Sequence, residues 1–300
     1  MDAAGNLYGT TTDNDSNGGT VFKMGRRNSG WIFSILHTFG VGSDGSDAYG
    51  GVVQDAGGVL YGTTCEGGSN GDGTIYRLQP APTFPASITA PWTETILHNF
   101  TDSDRDCPDD ELTQDGAGNY YGSTTYGGAY GDGSVFQLSP SGSGFNYNVI
   151  YSFSGGSDGN GPYSGVTLDS AGNLYGTTYL GGNGDSGTVY ELTPNGSGWT
   201  ETVFYRFSGS DGDNPAAGVI LDGAGNLYGA TVSGGCCDSG VVFKLAPSNG
   251  GWSYTSLHDF TGSRDGAGPF GGVTLDSSDN LYGTTNGGGS GFGVVFEISH

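Results

Sequence analysis

The stretch GNLYGTT, residues 172–178, recurs with small changes at six places in the chain. Aligned on its tyrosine, the copies centre on Tyr8, Tyr61, Tyr121, Tyr175, Tyr228 and Tyr282, at steps of 53, 60, 54, 53 and 54 residues. Each copy is followed by a second phrase of the type GTVFKM, GTIYRL or GVVFEI. Two further phrases occur five times each. One is WIFSILHTF or WTETVFYRF, and the other is GGVVQD or SGVTLD. All four are short, rich in Val, Ile, Thr and aromatic residues, and bounded by Gly, Asn, Asp or Pro, which is how strands read. No segment has a helical period of useful length.

Four strands in a unit of about 50 residues match the blade of a β-propeller. The loops assign the strands. The link after the LHxF phrase is the longest, so it carries the chain from the outer edge of one blade to the axis of the next. GVTLD is therefore the inner strand A, LYGTT is B, GTVFKL is C and WxxxxLHxF is D. Crowding at the axis accounts for Gly51, Gly165, Gly218 and Gly272 in strand A. The expected fold is all-β, a single propeller domain over residues 1–300. Its first blade lacks strand A and its last lacks strand D. Those unfinished blades present open edges, which are adhesive, so self-association through them is expected.

The chain has 31 acidic against 8 basic residues, a net charge of -23. That sign excludes a nucleic-acid partner and docking on anionic lipid. No apolar run approaches the roughly 18 residues that a spanning helix needs, so membrane insertion is not expected. Glycine contributes 62 residues, but at fixed offsets, as turn punctuation rather than low complexity. Scarce lysine and an even cysteine count point to an exported protein, extracellular or at the cell surface. Met1 is followed at once by repeat sequence, so the chain is expected to be a mature form or a piece, with signal and anchor outside it.

The consensus GNLYGTT…GTVF-L…W-----LH-F…GV-LD resembles the GloVer-type tandem repeat of bacterial surface and secreted proteins. The resemblance covers nearly the whole chain. It implies a propeller-like exported protein and carries over no activity and no catalytic residue.

Candidate chemistry lies where the repeat breaks. Asp13, Asp15 and Asn17 imitate the start of a calcium loop, although Met24 stands where the closing Glu belongs. Asp102, Asp104 and Asp106 crowd a second acidic loop that ends in Glu111, and calcium is the expected cation at both. Cys65 and Cys107 map to one face and are expected to bond. Cys236 and Cys237 form either a vicinal disulfide or two free thiols. The insert at residues 80–91 is proline-rich and reads as a stiff arm. His37, His98 and His258 share one strand D position with Tyr151 and Tyr205, which reads as packing by a ring with a polar tip. The aspartates Asp44, Asp158, Asp211 and Asp265 read as Asp-Gly turn residues.

Three functions fit this pattern. The first is a binding or adhesion module for a glycan or protein at the B–C and D–A loop face. Glu111, Tyr49, Tyr126, Tyr130, Tyr163, Tyr179 and Phe270 are the contacts expected there, with Phe292 on the same face. The second is a structural subunit assembling through its end blades. The third is a lyase- or lactonase-type enzyme. Strand A and its entry supply only Glu111, Gln54 and Gln114 beyond Ser and Thr, so no nucleophile–base pair can be drawn and the enzyme reading is the weakest.

Overall fold

The computed structural model describes residues 1–12, 18–27, 30–40, 42–80, 92–101, 107–108, 111–196 and 198–299. It is an all-β propeller of six antiparallel blades. Blade 1 holds β1 (Leu7–Thr11), β2 (Thr20–Arg27) and β3 (Gly30–Thr38). Blade 2 holds β4 (Val53–Gln54), β5 (Leu60–Thr64), β6 (Thr74–Gln79) and β7 (Thr93–Asn99). Blade 3 holds β8 (Thr113–Gln114), β9 (Tyr120–Thr124), β10 (Ser134–Ser141) and β11 (Gly144–Ser152). Blade 4 holds β12 (Thr167–Leu168), β13 (Leu174–Thr178), β14 (Thr188–Asn195) and β15 (Gly198–Arg206). Blade 5 holds β16 (Ile220–Leu221), β17 (Leu227–Thr231), β18 (Val241–Ser248) and β19 (Gly251–Asp259). Blade 6 holds β20 (Val273–Leu275), β21 (Leu281–Thr284) and β22 (Val295–Ile298). The strands follow one another in sheet order, and the first and last sheets are three-stranded, as the repeat phrases required. Strand A is shorter than its phrase, two or three residues in every blade that has it.

The chain forms two compact units. One is residues 1–127 with 135–149, and the other is residues 128–134 with 150–300. Each has its own apolar layers. In the first, Val21, Phe39, Leu60, Tyr76 and Leu78 pack between blades 1 and 2. In the second, Val189, Phe207, Leu227, Phe243 and Leu245 pack between blades 4 and 5.

Each letter of GNLYGTT has a job in this packing. Gly172 sits at φ 90° in the A–B turn, a conformation side chains disfavour. Asn173 donates through Nδ2 to Asp169 at 2.9 Å, and the Tyr175 hydroxyl donates to the same carboxylate at 3.1 Å. Leu174 is fully buried. Thr177 donates to the Ala217 carbonyl of the next blade at 2.9 Å, and Thr178 shares a hydrogen bond with Thr188 of its own blade at 2.8 Å.

Gly176 is set by sterics. It pairs with Tyr190 of strand C, the end of whose ring fills the space beside it, and the same pairing holds for Gly229 and Phe243. A Cβ built on Gly229 would stand 2.6 Å from Phe243 Cζ, and one on Gly9 would stand 2.7 Å from Phe22 Cζ. Strand A glycines are crowded too: a Cβ on Gly272 would stand 3.1 Å from the Ala217 Cβ.

Gly229→Ala is therefore expected to lower the unfolding free energy by about 1–3 kcal/mol, the usual cost of overpacking. Combining it with Phe243→Leu should recover part of that loss. Denaturant unfolding of the two single variants and the double variant tests the coupling. Strict additivity would remove the steric account.

Candidate functional site

Turn geometry absorbs most of the acidic residues. Asp222 accepts the backbone N–H of Ala224 and Asn226 through one oxygen, and the Asn226 amide and Tyr228 hydroxyl through the other. Asp55, Asp115, Asp169 and Asp276 hold the same post, and Asp2 holds it in blade 1. Burial pushes the Asp222 carboxyl up, but these hydrogen bonds outweigh it and hold the group below the usual carboxylate range.

The D–A loop aspartates are turn residues as well. Asp158 accepts the Ser154 N–H at 2.9 Å, the Ser154 hydroxyl at 2.7 Å and the Tyr151 hydroxyl at 3.2 Å. Asp265 does the same with Thr261 and meets His258 Nε2 at 3.3 Å. Asp44 accepts the Gly40 N–H at 2.9 Å. The strand D rings pack as expected, edge-on to the following phenylalanine, as with His37 on Phe39 and His258 on Phe260.

The predicted loop residues divide. Tyr49, Tyr126, Tyr130 and Phe270 are about half exposed or more, and Phe292 is almost fully exposed. Tyr163 and Tyr179 instead pack on each other at 4.8 Å. Cys65 and Cys107 are disulfide-bonded. Cys236 and Cys237 are exposed free thiols. Asp13, Asp15, Asn17, Asp102, Asp104 and Asp106 lie outside the described residues, as does the insert beyond residue 80.

Glu111 has a setting that the sequence did not announce. It lines a cleft of about 870 Å³ with Gly51–Gly58, Met1–Ala4 and Tyr8. The cleft runs along β4, beside the blade that has no strand A. Gly51 makes room for the carboxylate: a Cβ there would meet Glu111 Oε2 at 3.3 Å. Gln54, Asp55 and Tyr8 add polar groups to the wall.

Sequence reasoning missed a second constellation, two glutamates on strand D. Glu94 and Glu201 lie diagonally across the sheet from Tyr76 and Tyr190, given the pairings Tyr76↔Ile96 and Leu78↔Glu94 and Tyr190↔Val203 and Leu192↔Glu201. Blades 3 and 5 carry the opposite choice, with Phe136 and Phe243 on strand C and Tyr147 and Tyr254 on strand D. The exchange is coupled: a phenol on strand C accompanies a carboxylate on strand D. This pattern was available in GTIYRL…WTETIL and GTVYEL…WTETVF. Burial pushes Glu94 up to about 8, with Asp44 adding to it. Burial pushes Glu201 up to about 7, with Asp158 adding to it and Arg206 opposing it. In the first unit, His37 Nε2 stands 3.8 Å from both Asp44 Oδ2 and Glu94 Oε1. Burial pushes that imidazole below its usual range, against the pull of Asp44. These three side chains form the one His/Cys/Asp/Glu group of metal-binding dimensions among the described residues.

Family comparison decides the lineage of this blade. The Gloeobacter/Verrucomicrobia repeat matches residues 1–129 and again 110–300. The chain belongs to that repeat family. No curated protein matches it significantly. Among solved structures, family resemblance gives way to shape. A Bacteroides uniformis protein provisionally classed as a 6-phosphogluconolactonase is 14% identical, with a TM-score of 0.57, over 97% of this chain and 80% of that one. A Bacteroides fragilis protein classed in the same way is 17% identical, with a TM-score of 0.56, over 95% and 76%. A gluconolactonase from Xanthomonas campestris is 14% identical, with a TM-score of 0.53, over 97% and 87%. At such identities this repeat-family member shares their fold and nothing finer.

The raised carboxyl of Glu201 has a consequence for stability. Its folded-state value of about 7 lies above its ordinary 4.5. Between those values the folded chain holds a proton that the unfolded chain has released, so stability falls as pH rises through this window. Glu201→Gln should be more stable than the wild type at about pH 8 and show a shallower decline between about pH 5 and 8. Thermal melts across that range test it, and parallel curves would refute it.

Proposed function

We propose that this repeat-family propeller is an exported binding module whose ligand is a carbohydrate. The observation that carries the reading is the Glu111 cleft. It is open, large enough for a short oligosaccharide, and walled by a carboxylate, an amide, a phenol and glycine backbone. Such a mixture of polar groups and an aromatic ring suits the hydroxyls and the apolar faces of sugars. The exposed rings of Tyr49 and Tyr126 in the same unit offer further stacking surface. The Cys65–Cys107 disulfide supports an oxidising compartment, outside the cell or on its surface. Among the described residues no helix is long and apolar enough to cross a membrane. Among the described residues strand A brings no nucleophile and base together in the cleft, which favours binding over lyase or lactonase chemistry.

A glycan array followed by calorimetric titration of the strongest hit tests this reading. The expected outcome is saturable binding, unaltered ligand on recovery, and a loss of affinity of about tenfold or more in Glu111→Ala, the cost of a hydrogen bond to a charged group. A chain that retains no glycan, or a Glu111→Ala variant that binds as the wild type does, would overturn it.

One further observation favours assembly as a second reading. Strand D of a blade turns one face toward the blade before it. In the second unit that face is covered: Trp252 stacks on Phe204 at 4.4 Å and Tyr254 on Tyr205 at 4.7 Å. The same face of blade 1 carries Trp31, Phe33 and Ile35, exposed by 47%, 56% and 56%. On blade 6 the forward face leaves Val295 80% exposed. Such faces are complementary by descent, because the repeat packs them together elsewhere, and a heterologous contact of this kind extends into chains of copies. Light scattering should show mass rising with concentration, with Phe33→Asp holding the chain monomeric. A wild type of constant monomeric mass would exclude it.

A further inference from the structure

The group His37, Asp44 and Glu94 holds two atoms in an unusual state. His37 Nε2 and Glu94 Oε1 are cut off from solvent and have no hydrogen-bond partner, and their side chains are only 18% and 12% exposed. A buried polar atom without a partner costs about 1–3 kcal/mol, and more where it is charged. Hydrogen bonding does not relieve it here, because 3.8 Å is beyond hydrogen-bond reach. The gap is a few tenths of an ångström wider than the spacing that one coordinated cation imposes. Two ligands on a tetrahedral ion, at bonds of about 2.0–2.2 Å, stand roughly 3.3–3.6 Å apart. All three donor atoms lie within 4.8 Å of one another.

The repeat supplies its own comparison. In the second unit, Tyr151 bonds Asp158 directly at 3.2 Å, and Glu201 faces this phenol pair without an imidazole. His258 closes directly on Asp265 at 3.3 Å. Tyr205 and Tyr254 fill their seam with stacked rings. Blades 1 and 2 alone, among the described residues, set an imidazole against two carboxylates and leave the gap open. Two of the three side chains are braced by neighbours. His37 lies near the end of β3 and its ring is held edge-on by Phe39 at 4.9 Å. Glu94 sits within β7, and Asp44 is anchored by the Gly40 N–H at 2.9 Å.

We propose that His37, Asp44 and Glu94 bind one divalent transition-metal ion of the zinc type and so tie blade 1 to blade 2. Imidazole with two carboxylates favours zinc over calcium, which takes oxygen ligands. The set differs from both acidic loops considered for calcium. Its two carboxylates balance the charge of the ion, and a water can take the fourth position.

The test uses the full chain, treated with a chelator, freed of it, and with Cys236 and Cys237 alkylated so that their thiols do not compete. Zinc chloride titrated by calorimetry should show one saturable site per chain and raise the melting temperature. Glu94→Gln, which keeps the side-chain shape, should weaken that site by more than about 100-fold, as should His37→Gln. Glu201→Gln should leave it unchanged. Absence of saturable zinc binding, its survival in both His37→Gln and Glu94→Gln, or calcium taking the site in preference would each overturn the assignment.

Discussion

A ring lying on a glycine is the contact on which this fold depends. In strand C of every blade a phenylalanine or tyrosine occupies the space that a side chain on the strand B glycine would need. The same ring takes the edge of the phenylalanine that ends strand D of the blade before it. Phe207 meets Phe243 at 5.2 Å, Phe260 meets Phe296 at 5.1 Å and Phe39 meets Tyr76 at 5.1 Å. One aromatic residue therefore closes its own blade and receives its neighbour. Edge-to-face geometry adds to the burial of large apolar area. In blades 1, 2 and 4 the first threonine of the motif, Thr10, Thr63 or Thr177, adds a hydrogen bond to the carbonyl of Gly50, Pro108 or Ala217 ahead of the next strand A. The repeat is thus a joint, and its six copies record packing rather than ligand binding.

That joint explains what could be read from the primary sequence. A glycine flanked by Tyr and Thr is odd inside a strand, and its recurrence beside a fixed aromatic phrase marks strands B and C together. Blade number, strand order and the two incomplete sheets follow from spacing, since each pairing is local. The Cys65–Cys107 bond was legible because strand order puts both loops on one face. The glutamates were not. Glu94 and Glu201 sit in WTETIL and WTETVF, where period 2 sets each beside a tryptophan on one strand face but names no partner for it. Their partners lie on the preceding blade, about 50 residues away, and only the matching change from Phe to Tyr on strand C gave notice. The Glu111 cleft was hidden for a related reason: its wall includes Met1–Ala4, which strand pattern alone assigns to a turn.

The acidity of the chain also takes on a different meaning. A net charge of -23 suggests a surface built to attract cations. Much of it is spent inside turns, where each A–B carboxylate receives hydrogen bonds from two backbone groups and side chains around it. These carboxylates are stabilised by donors already present and have little left to offer a ligand. The groups with unmet capacity are the ones that burial has made reluctant to ionise, Glu94 and Glu201. Charge count and binding capacity are therefore poorly related in this protein.

Buried carboxylate oxygens without a hydrogen-bond partner distinguish the two glutamate seams from the rest of the described repeat, and the difference between the seams is one ring. Tyrosine at position 151 carries a proton that it can donate to Asp158, so the second-unit seam satisfies two of its three members internally. Histidine at position 37 presents Nε2 to the Asp44 carboxylate and to Glu94, which burial keeps protonated near neutral pH, and Nε2 has no hydrogen bond to either. Acceptors facing acceptors are stable only with something positive between them, a proton or a metal ion. A shared proton would draw Nε2 to hydrogen-bond distance of one oxygen, as at His258 and Asp265, 3.3 Å apart. Separations of 3.8 Å from Nε2 to each oxygen are too long for that bond and leave room for an ion of the kind proposed.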